Sequence, residues 1–306
     1  MLRYAARRLL QTVPTLLVIS ILTFLLVRLI PGDPAILIAG EEATPEALAG
    51  IRERLRLDRP LAEQYLIYLG SLVKGDLGQS IRSKQPVAGE LAARIPATLE
   101  LAVAAGILFT VLGVGLGVAA AVWRNRWPDH VIRVISLLGV STPSFWLGAV
   151  LILVFAVRFR LLPVAGRGSL AFLVLPAVTV ALDGIALLAR LVRASLLEVL
   201  AEDYVRTARA KGLVERIVVL RHALFNALIP AVTVLGLEFG RLLGGVVVVE
   251  SVFGWPGFGR LLISAIQTRD YPLVQSGIFV FATALILVNL AVDLCVGVLD
   301  PRVRYR

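Results

Sequence analysis

The sequence predicts an all-α polytopic membrane protein with six transmembrane helices, and three observations carry that prediction. Of the 306 residues, 58% are hydrophobic and only 17% charged, with a mean hydropathy of +0.87, whereas soluble domains run about 45–50% apolar and about 25% charged. The apolar residues gather into runs close to the ~20 needed to cross a bilayer. No period-two alternation suggests a barrel, so helices are left to satisfy the backbone polar groups in lipid. A soluble globular enzyme is excluded.

The first run, Leu9–Ile30, follows Arg3, Arg7 and Arg8. It is too long for a signal-peptide core and lacks an A-x-A site, so residues 1–30 read as an N-terminal transmembrane anchor. Residues 31–96 form an outer segment with helical patches at Pro45–Leu57, where Leu48, Ile51 and Leu55 share a face, and at Leu61–Val73. Such patterning predicts a small folded cap. Residues 97–306 form a five-helix core with spans Ala97–Val122, Val131–Val157, Leu170–Ala189, Ala227–Val249 and Leu273–Leu299. Cys295 lies in an apolar run and reads as a small buried hydrophobe, since one cysteine builds no internal disulfide framework.

An even number of spans places both termini on one side, and the basic residues of the short connections choose it. With the N-terminus cytoplasmic, Arg124, Arg126, Arg190, Arg193, Arg206, Arg209, Lys211, Arg216 and Arg221 fall inside with the basic tail, against Arg158, Arg160, Arg167, Arg260 and Arg269 outside. Both termini and the segment 190–226 are therefore expected to be cytoplasmic, with residues 31–96 outside. The net charge of +10 comes from basic residues that mostly flank apolar spans; a bilayer partner is expected and no nucleic acid.

Several chemistries are missing. No G-x-x-x-x-G-K-[ST] phosphate loop occurs, so this chain has no such means of hydrolysing ATP, and His130 and His222 stand apart with no H-E-x-x-H. Ser71 and Lys74 match a serine–lysine spacing too short to carry weight. Asp183 in the fourth span and Asp293 in the sixth admit two readings: an aspartyl pair sharing a proton, or separate polar residues facing the bundle interior or a water-filled path.

Three segments do carry a signal. Between the fourth and fifth spans, Glu198–Leu213 begins with acids and ends with bases, complementing a helix dipole, and Gly212 is placed to end the helix. A short amphipathic helix stopping at Gly212 is expected, with a second leading to Pro230; on composition alone it could be a solvated connector. In the fifth span, Gly236, Gly240 and Gly244 make a smooth face for a neighbouring helix, with Glu238 on nearly the opposite side and Arg241 within pairing distance. That pair is either a polar cavity wall or a lock between helices. Gly113, Gly115 and Gly117 of the second span are expected at packing positions. Lastly, Ser251–Pro272 is rich in Gly, Pro and aromatics; it either dips into the mouth of the bundle, making Phe253, Trp255 and Phe258 candidate outer-gate residues, or anchors at the interface.

An ordered series of motifs spans nearly the whole chain: PGDP at Pro31–Pro34, STPSFWLG at Ser141–Gly148, LLPVAG at Leu161–Gly166, DYVRTARAKG at Asp203–Gly212, RHALFNALIP at Arg221–Pro230, VESVFGWPGFGRLL at Val249–Leu262, RDYP at Arg269–Pro272 and DPRVRY at Asp300–Tyr305. The series resembles the B-type permease subunits of the dipeptide/oligopeptide/nickel family of ABC importers, and AAVWRNRWPD at Ala120–Asp129 is similar to the glutathione-importing branch. Aligned on Gly212, Arg206-Thr207-Ala208 stands where the family's EAA triplet stands, with Arg in place of Glu. The resemblance implies that Asp203, Tyr204, Arg206, Thr207, Ala208 and Gly212 contact a cytoplasmic ATPase; Glu238, Arg241, Asp183 and Asp293, as ionisable residues inside apolar spans, are candidate pore residues. It implies a second homologous permease subunit, two ATP-binding subunits or domains and an extracytoplasmic substrate-binding protein as partners, in a bacterial or archaeal cytoplasmic membrane. This chain itself is then non-catalytic and without a cofactor, ATP and Mg being held by the ATPases. The rival readings are an ion- or proton-coupled secondary transporter, which needs a complete relay of ionisable residues in one chain, and an intramembrane hydrolase built on Asp183 and Asp293.

Overall fold

The computed structural model of the chain describes residues 2–29, 35, 44–54 and 58–299. The motifs at Pro31–Pro34 and Asp300–Tyr305 lie outside the described residues, as do residues 55–57 of the first outer patch and the side chains of Asp293 and Cys295. The described residues are helical apart from turns, loops and one isolated bridge, Gln79 to Pro86. They divide into two compact units.

The first unit comprises Ala97–Arg260 with Val288–Arg306. It holds most of α4 (Val87–Val122), all of α5 (Trp127–Ser141), α6 (Ser144–Leu151), α7 (Leu170–Val199), α8 (Asp203–Ala210) and α9 (Leu224–Val252), and the end of α11 (Tyr271–Leu299). The core runs along α4, α7 and α9 as three successive clusters, the first around Trp255 and Phe253, the second around Phe109 and Leu188, the third around Leu196 and Val205. Small residues set the spacing. A Cβ at Gly113 or Gly117 would meet Leu188 or Val192 of α7, and one at Gly236 or Gly240 would meet Val292 or Asn289 of α11. Backbones approach closely there because nothing intervenes. Gly115 and Gly244 have open space instead and meet none of the chain's described residues.

Four span boundaries differ from those read from sequence. The run Val131–Val157 is not one straight helix: α5 and the helix Ser144–Arg158, whose second half is a π-type turn from Ile152, meet at 111°. Pro143 is the cause, since it has no N–H to continue the ladder and holds Thr142 extended at φ −95°, ψ 120°. Helix α7 continues to Val199 beyond the expected end at Ala189, and α4 begins at Val87 and accommodates Pro96 in its interior. The fifth span is entered through a short turn, Glu215–Ile217, and a π-type turn, Val218–Ala223, and bends by 46° beyond Pro230. Among the described residues, three helices are long and apolar enough to cross a membrane, or up to five if each bent pair is one span; the apolar part of α1 (Leu2–Leu29), Leu10–Leu26, is shorter. Six spans therefore exceed what length and composition establish among the described residues.

Within this unit, Asp129 ties α5 to α7. Its fully buried carboxylate accepts two hydrogen bonds from Arg193, at 2.7 and 2.8 Å, and one from the Asn125 amide at 2.9 Å, with Arg133 at 3.4 Å. Asp129 also sits in the first turn of α5, where the helix dipole favours an anion.

The second unit comprises Leu2–Pro96 with Leu261–Leu287. Here α2 (Pro45–Arg54) and α3 (Leu61–Val73) fall on the two expected patches. Helix α3 packs on α1 through Phe24 against Tyr65 and Tyr68, a Ser20–Tyr65 hydroxyl bond of 2.9 Å, and Arg28 donating to Gln64 at 2.9 Å. The turn between α10 (Phe258–Gln267) and α11 is fixed by buried Asp270, whose carboxylate accepts from the Ser80 hydroxyl and the amides of Ile81, Arg82 and Leu273. A carboxylate with several N–H and O–H donors is satisfied without a cation.

Candidate functional site

The segment joining α7 to α9 is built as expected at its end and differently at its beginning. The helix does not start at Glu198, which still belongs to α7; the chain turns at Leu200–Glu202 and α8 begins at Asp203, an acid in the first turn. Its stop is Gly212 at φ +80°, whose amide donates to Arg209 O at 2.9 Å. A Cβ there would meet nothing within 4 Å, so glycine is needed for its backbone conformation alone.

Helix α8 has a buried face and a presented one. Val205 and Ala208, three residues apart, are buried against Ala121, Leu196, Val218, Ala223 and Ala227. Ala208, expected on the contact surface, is thus turned inward and holds the helix to its own bundle. Asp203, Arg206 and Thr207 are exposed, and Tyr204 is 43% exposed. The Tyr204 hydroxyl accepts a 2.7 Å hydrogen bond from Asn226, fastening α8 to the start of α9. Arg209 closes the other end with a bidentate pair to Glu215 at 2.8 and 3.1 Å, which holds its guanidinium above its ordinary pKa. The Asp203–Arg206 pair, at 3.7 Å and almost fully exposed, contributes little by itself. The result is a small rigid helix, anchored on one side and showing both charge signs on the other.

Asp183, Glu238 and Arg241 come together at a second place, a partly open cavity of about 220 Å³ between α7 and α9 with Phe109, Val180 and Leu242 among its walls. Glu238 is 8% exposed and accepts a 2.8 Å hydrogen bond from Arg241 Nη1. It lies away from the glycine face that meets α11, as the spacing predicts. The pair is therefore a cavity wall. Asp293, the fourth candidate, has its side chain outside the described ones.

Phe253, Trp255 and Phe258 do not line this cavity. All three are buried, and Trp255 Nε1 donates to Ala97 O at 2.8 Å. No spacing rule points to the anchor beside them. Glu250, fully buried, accepts from the Thr98 hydroxyl and the Arg260 amide, while Thr98 Oγ1 accepts the Phe258 amide. A Cβ on Gly257 would fall on the Glu250 carboxylate. The three aromatic side chains are thus packed interior.

Comparison with known proteins agrees with this architecture. The family profile described as "Binding-protein-dependent transport system inner membrane component" matches residues 113–305, and its N-terminal companion matches residues 1–102. The chain is 48% identical over 306 residues to the glutathione transport system permease protein GsiC of Escherichia coli O6:H1 (strain CFT073), and 47% identical to that of Escherichia coli strain K12, covering 100% of each chain in both cases. Among solved structures, the inward-facing MetNI methionine ABC transporter matches with a TM-score of 0.56 at 20% identity, over 69% of this chain and 96% of that one. An amino acid ABC transporter crystallised with histidines matches with a TM-score of 0.51 at 18% identity, over 70% and 94%. At that identity the two structures speak for the fold. With both profiles and full-length relatives in agreement, the chain belongs to the family of binding-protein-dependent transport system inner membrane components and is a permease subunit of an ABC importer.

Proposed function

We propose that this permease carries small peptides, glutathione and dipeptides among them, and forms one half of the path they take. The observation that carries the reading is full-length identity of 48% to a glutathione permease, with no part of either chain left over. A second, homologous permease completes the path, a binding protein delivers the peptide outside, and two cytoplasmic ATP-binding subunits hold ATP and Mg. Helix α8 is the part those ATPases grip, through Asp203, Tyr204, Arg206 and Thr207. A helix that is fixed to its own bundle and exposed on its other face transmits a partner's movement as a rigid lever. Chemistry stays on the ATPases, and this chain supplies the path and the lever.

The reading includes six spans, with α1 as the N-terminal one and both termini cytoplasmic. Ser80 is a poor site to probe this, because it is buried against Asp270. Gln85 and Lys211 are exposed. A membrane-impermeant maleimide should label Gln85→Cys in intact cells, and Lys211→Cys only after permeabilisation, both in a Cys295→Ala background. The opposite pattern would reverse the orientation and detach α8 from any cytoplasmic ATPase.

The functional test is reconstitution. Co-expressed with its partner permease and ATP-binding subunits, the chain should support ATP-dependent uptake of glutathione or a dipeptide into proteoliposomes that requires the loaded binding protein. Uptake driven by a proton or sodium gradient without ATP would favour a secondary transporter.

A further inference from the structure

The cavity between α7 and α9 presents two charges of opposite sign that are not used up by one another. Glu238 is spent: its side chain is 10% exposed and its carboxylate is engaged by Arg241. Arg241 is not, because its side chain is 71% exposed and, among the described residues, only Nη1 is engaged, at 2.8 Å, leaving most of the five N–H donors of the guanidinium fork without a described partner. Asp183 lines the same cavity, and among the described residues no hydrogen bond or ion pair engages its carboxylate. Ser144 adds a hydroxyl at the wall.

Phe109, Val180 and Leu242 supply apolar wall beside these groups, and charges next to apolar wall interact more strongly than in open water. At about 30 Å³ per water, a volume of about 220 Å³ holds roughly seven waters. That is room for the end groups of a small molecule. Asp183 is exposed at the cavity, with no cation in direct contact among the described residues, and a carboxylate in a membrane-embedded helix is tolerated where it faces water or a ligand.

From this we propose that Asp183 and Arg241 form a subsite for a zwitterion in transit, Asp183 receiving an ammonium group and Arg241, held in place by Glu238, receiving a carboxylate. The proposal rests on the peptide-import reading and narrows it to peptides with both end groups free. Of the two carboxylates at the cavity, it assigns selectivity to Asp183 and not to Glu238. Glu238 becomes a positioning residue that acts through Arg241.

The test uses the complete transporter in nanodiscs, without its binding protein, and measures equilibrium binding of tritiated alanyl-alanine competed by the N-acetylated and the C-amidated dipeptides. The wild type should bind saturably and discriminate against each blocked peptide by tenfold or more. Asp183→Asn should erase at least four-fifths of the discrimination against the N-acetyl peptide while leaving that against the amide. Arg241→Gln should do the reverse, and Asp183→Glu, which keeps the carboxylate, should restore part of the discrimination against the N-acetyl peptide that Asp183→Asn loses. Absence of saturable binding, or discrimination unchanged in Asp183→Asn, overturns the subsite. Uptake of alanyl-alanine and glutathione by the same purified transporter, reconstituted into proteoliposomes with loaded binding protein, is scored separately. Intact uptake with an unchanged binding pattern sinks only the subsite, whereas wild-type protein that imports neither peptide sinks the import reading and the subsite with it.

Discussion

Asp129→Ala is expected to destabilise the unit built on α4, α7 and α9 by about 3 kcal/mol, the lower part of the range for stripping one partner from a buried ion pair. The carboxylate is fully buried and takes both hydrogen bonds of the Arg193 fork, while the Arg193 side chain keeps 20% exposure. Its removal leaves a guanidinium that water reaches only in part, and also orphans the Asn125 amide that closes the turn before α5. In detergent the loss should appear as a thermal midpoint lower by about 6–12 °C. A double-mutant cycle separates the pair from the site: in an Arg193→Met background the same substitution should cost less than about 1.5 kcal/mol. Equal costs in both backgrounds would show that Asp129 acts through the turn and the helix dipole, not through Arg193. Because Arg193 lies in the last two turns of α7, immediately before α8, the single variants should also weaken coupling of ATP hydrolysis to uptake, even at temperatures where they remain folded.

How much of this was legible in the sequence depends on the range of the interaction that decides each feature. Apolar runs and helix stops are local, so the helices of the core, both outer patches and the end of α8 at Gly212 were readable. The pairing of Glu238 with Arg241, three residues apart on one helix, was readable for the same reason. The ties that hold elements together are not local. Asp129 meets Arg193 across 64 residues, Thr98 meets Glu250 across 152, and Ser80 meets Asp270 across 190. No spacing rule reaches that far. Other differences come from polar or ring-bearing residues inside helices. Arg94 and Pro96 made the start of α4 look like loop, and Arg190 and Arg193 made the end of α7 look like a connection, although their helices continue through them. Pro143 had the opposite effect, since the apolar run around it concealed a 111° break. The inward face of α8 did leave a signal: Val205 and Ala208, three apart, are the only non-polar positions between Asp203 and Arg209 apart from Tyr204. Their spacing marks a buried stripe and not a surface for a partner.

Gly212→Val should uncouple the transporter while leaving the protein inserted and folded. Gly212 adopts φ +80°, a region where a residue with a Cβ pays roughly 1–2 kcal/mol and a β-branched one more. Among the described residues no atom stands within 4 Å of where that Cβ would be, so collision with them contributes nothing and the core should be untouched. What the substitution strains is the turn that carries the chain from Arg209 to Glu215. The Gly212 amide bond to Arg209 O closes that turn, and the bidentate Arg209–Glu215 pair spans it. Relaxing the backbone to negative φ would redirect the chain and release Arg209, leaving α8 anchored by Val205, Ala208 and Tyr204 but free to pivot. A lever that pivots at its base loses the movement it should pass on. In the reconstituted transporter, stimulation of ATP hydrolysis by loaded binding protein should fall by tenfold or more in Gly212→Val. Gly212→Asn, which tolerates the left-handed region better, should retain a substantial fraction, and Gly115→Ala, at a glycine with open space and ordinary φ, should behave as the wild type. Full stimulation and uptake in Gly212→Val would mean that the turn bears no part of the coupling.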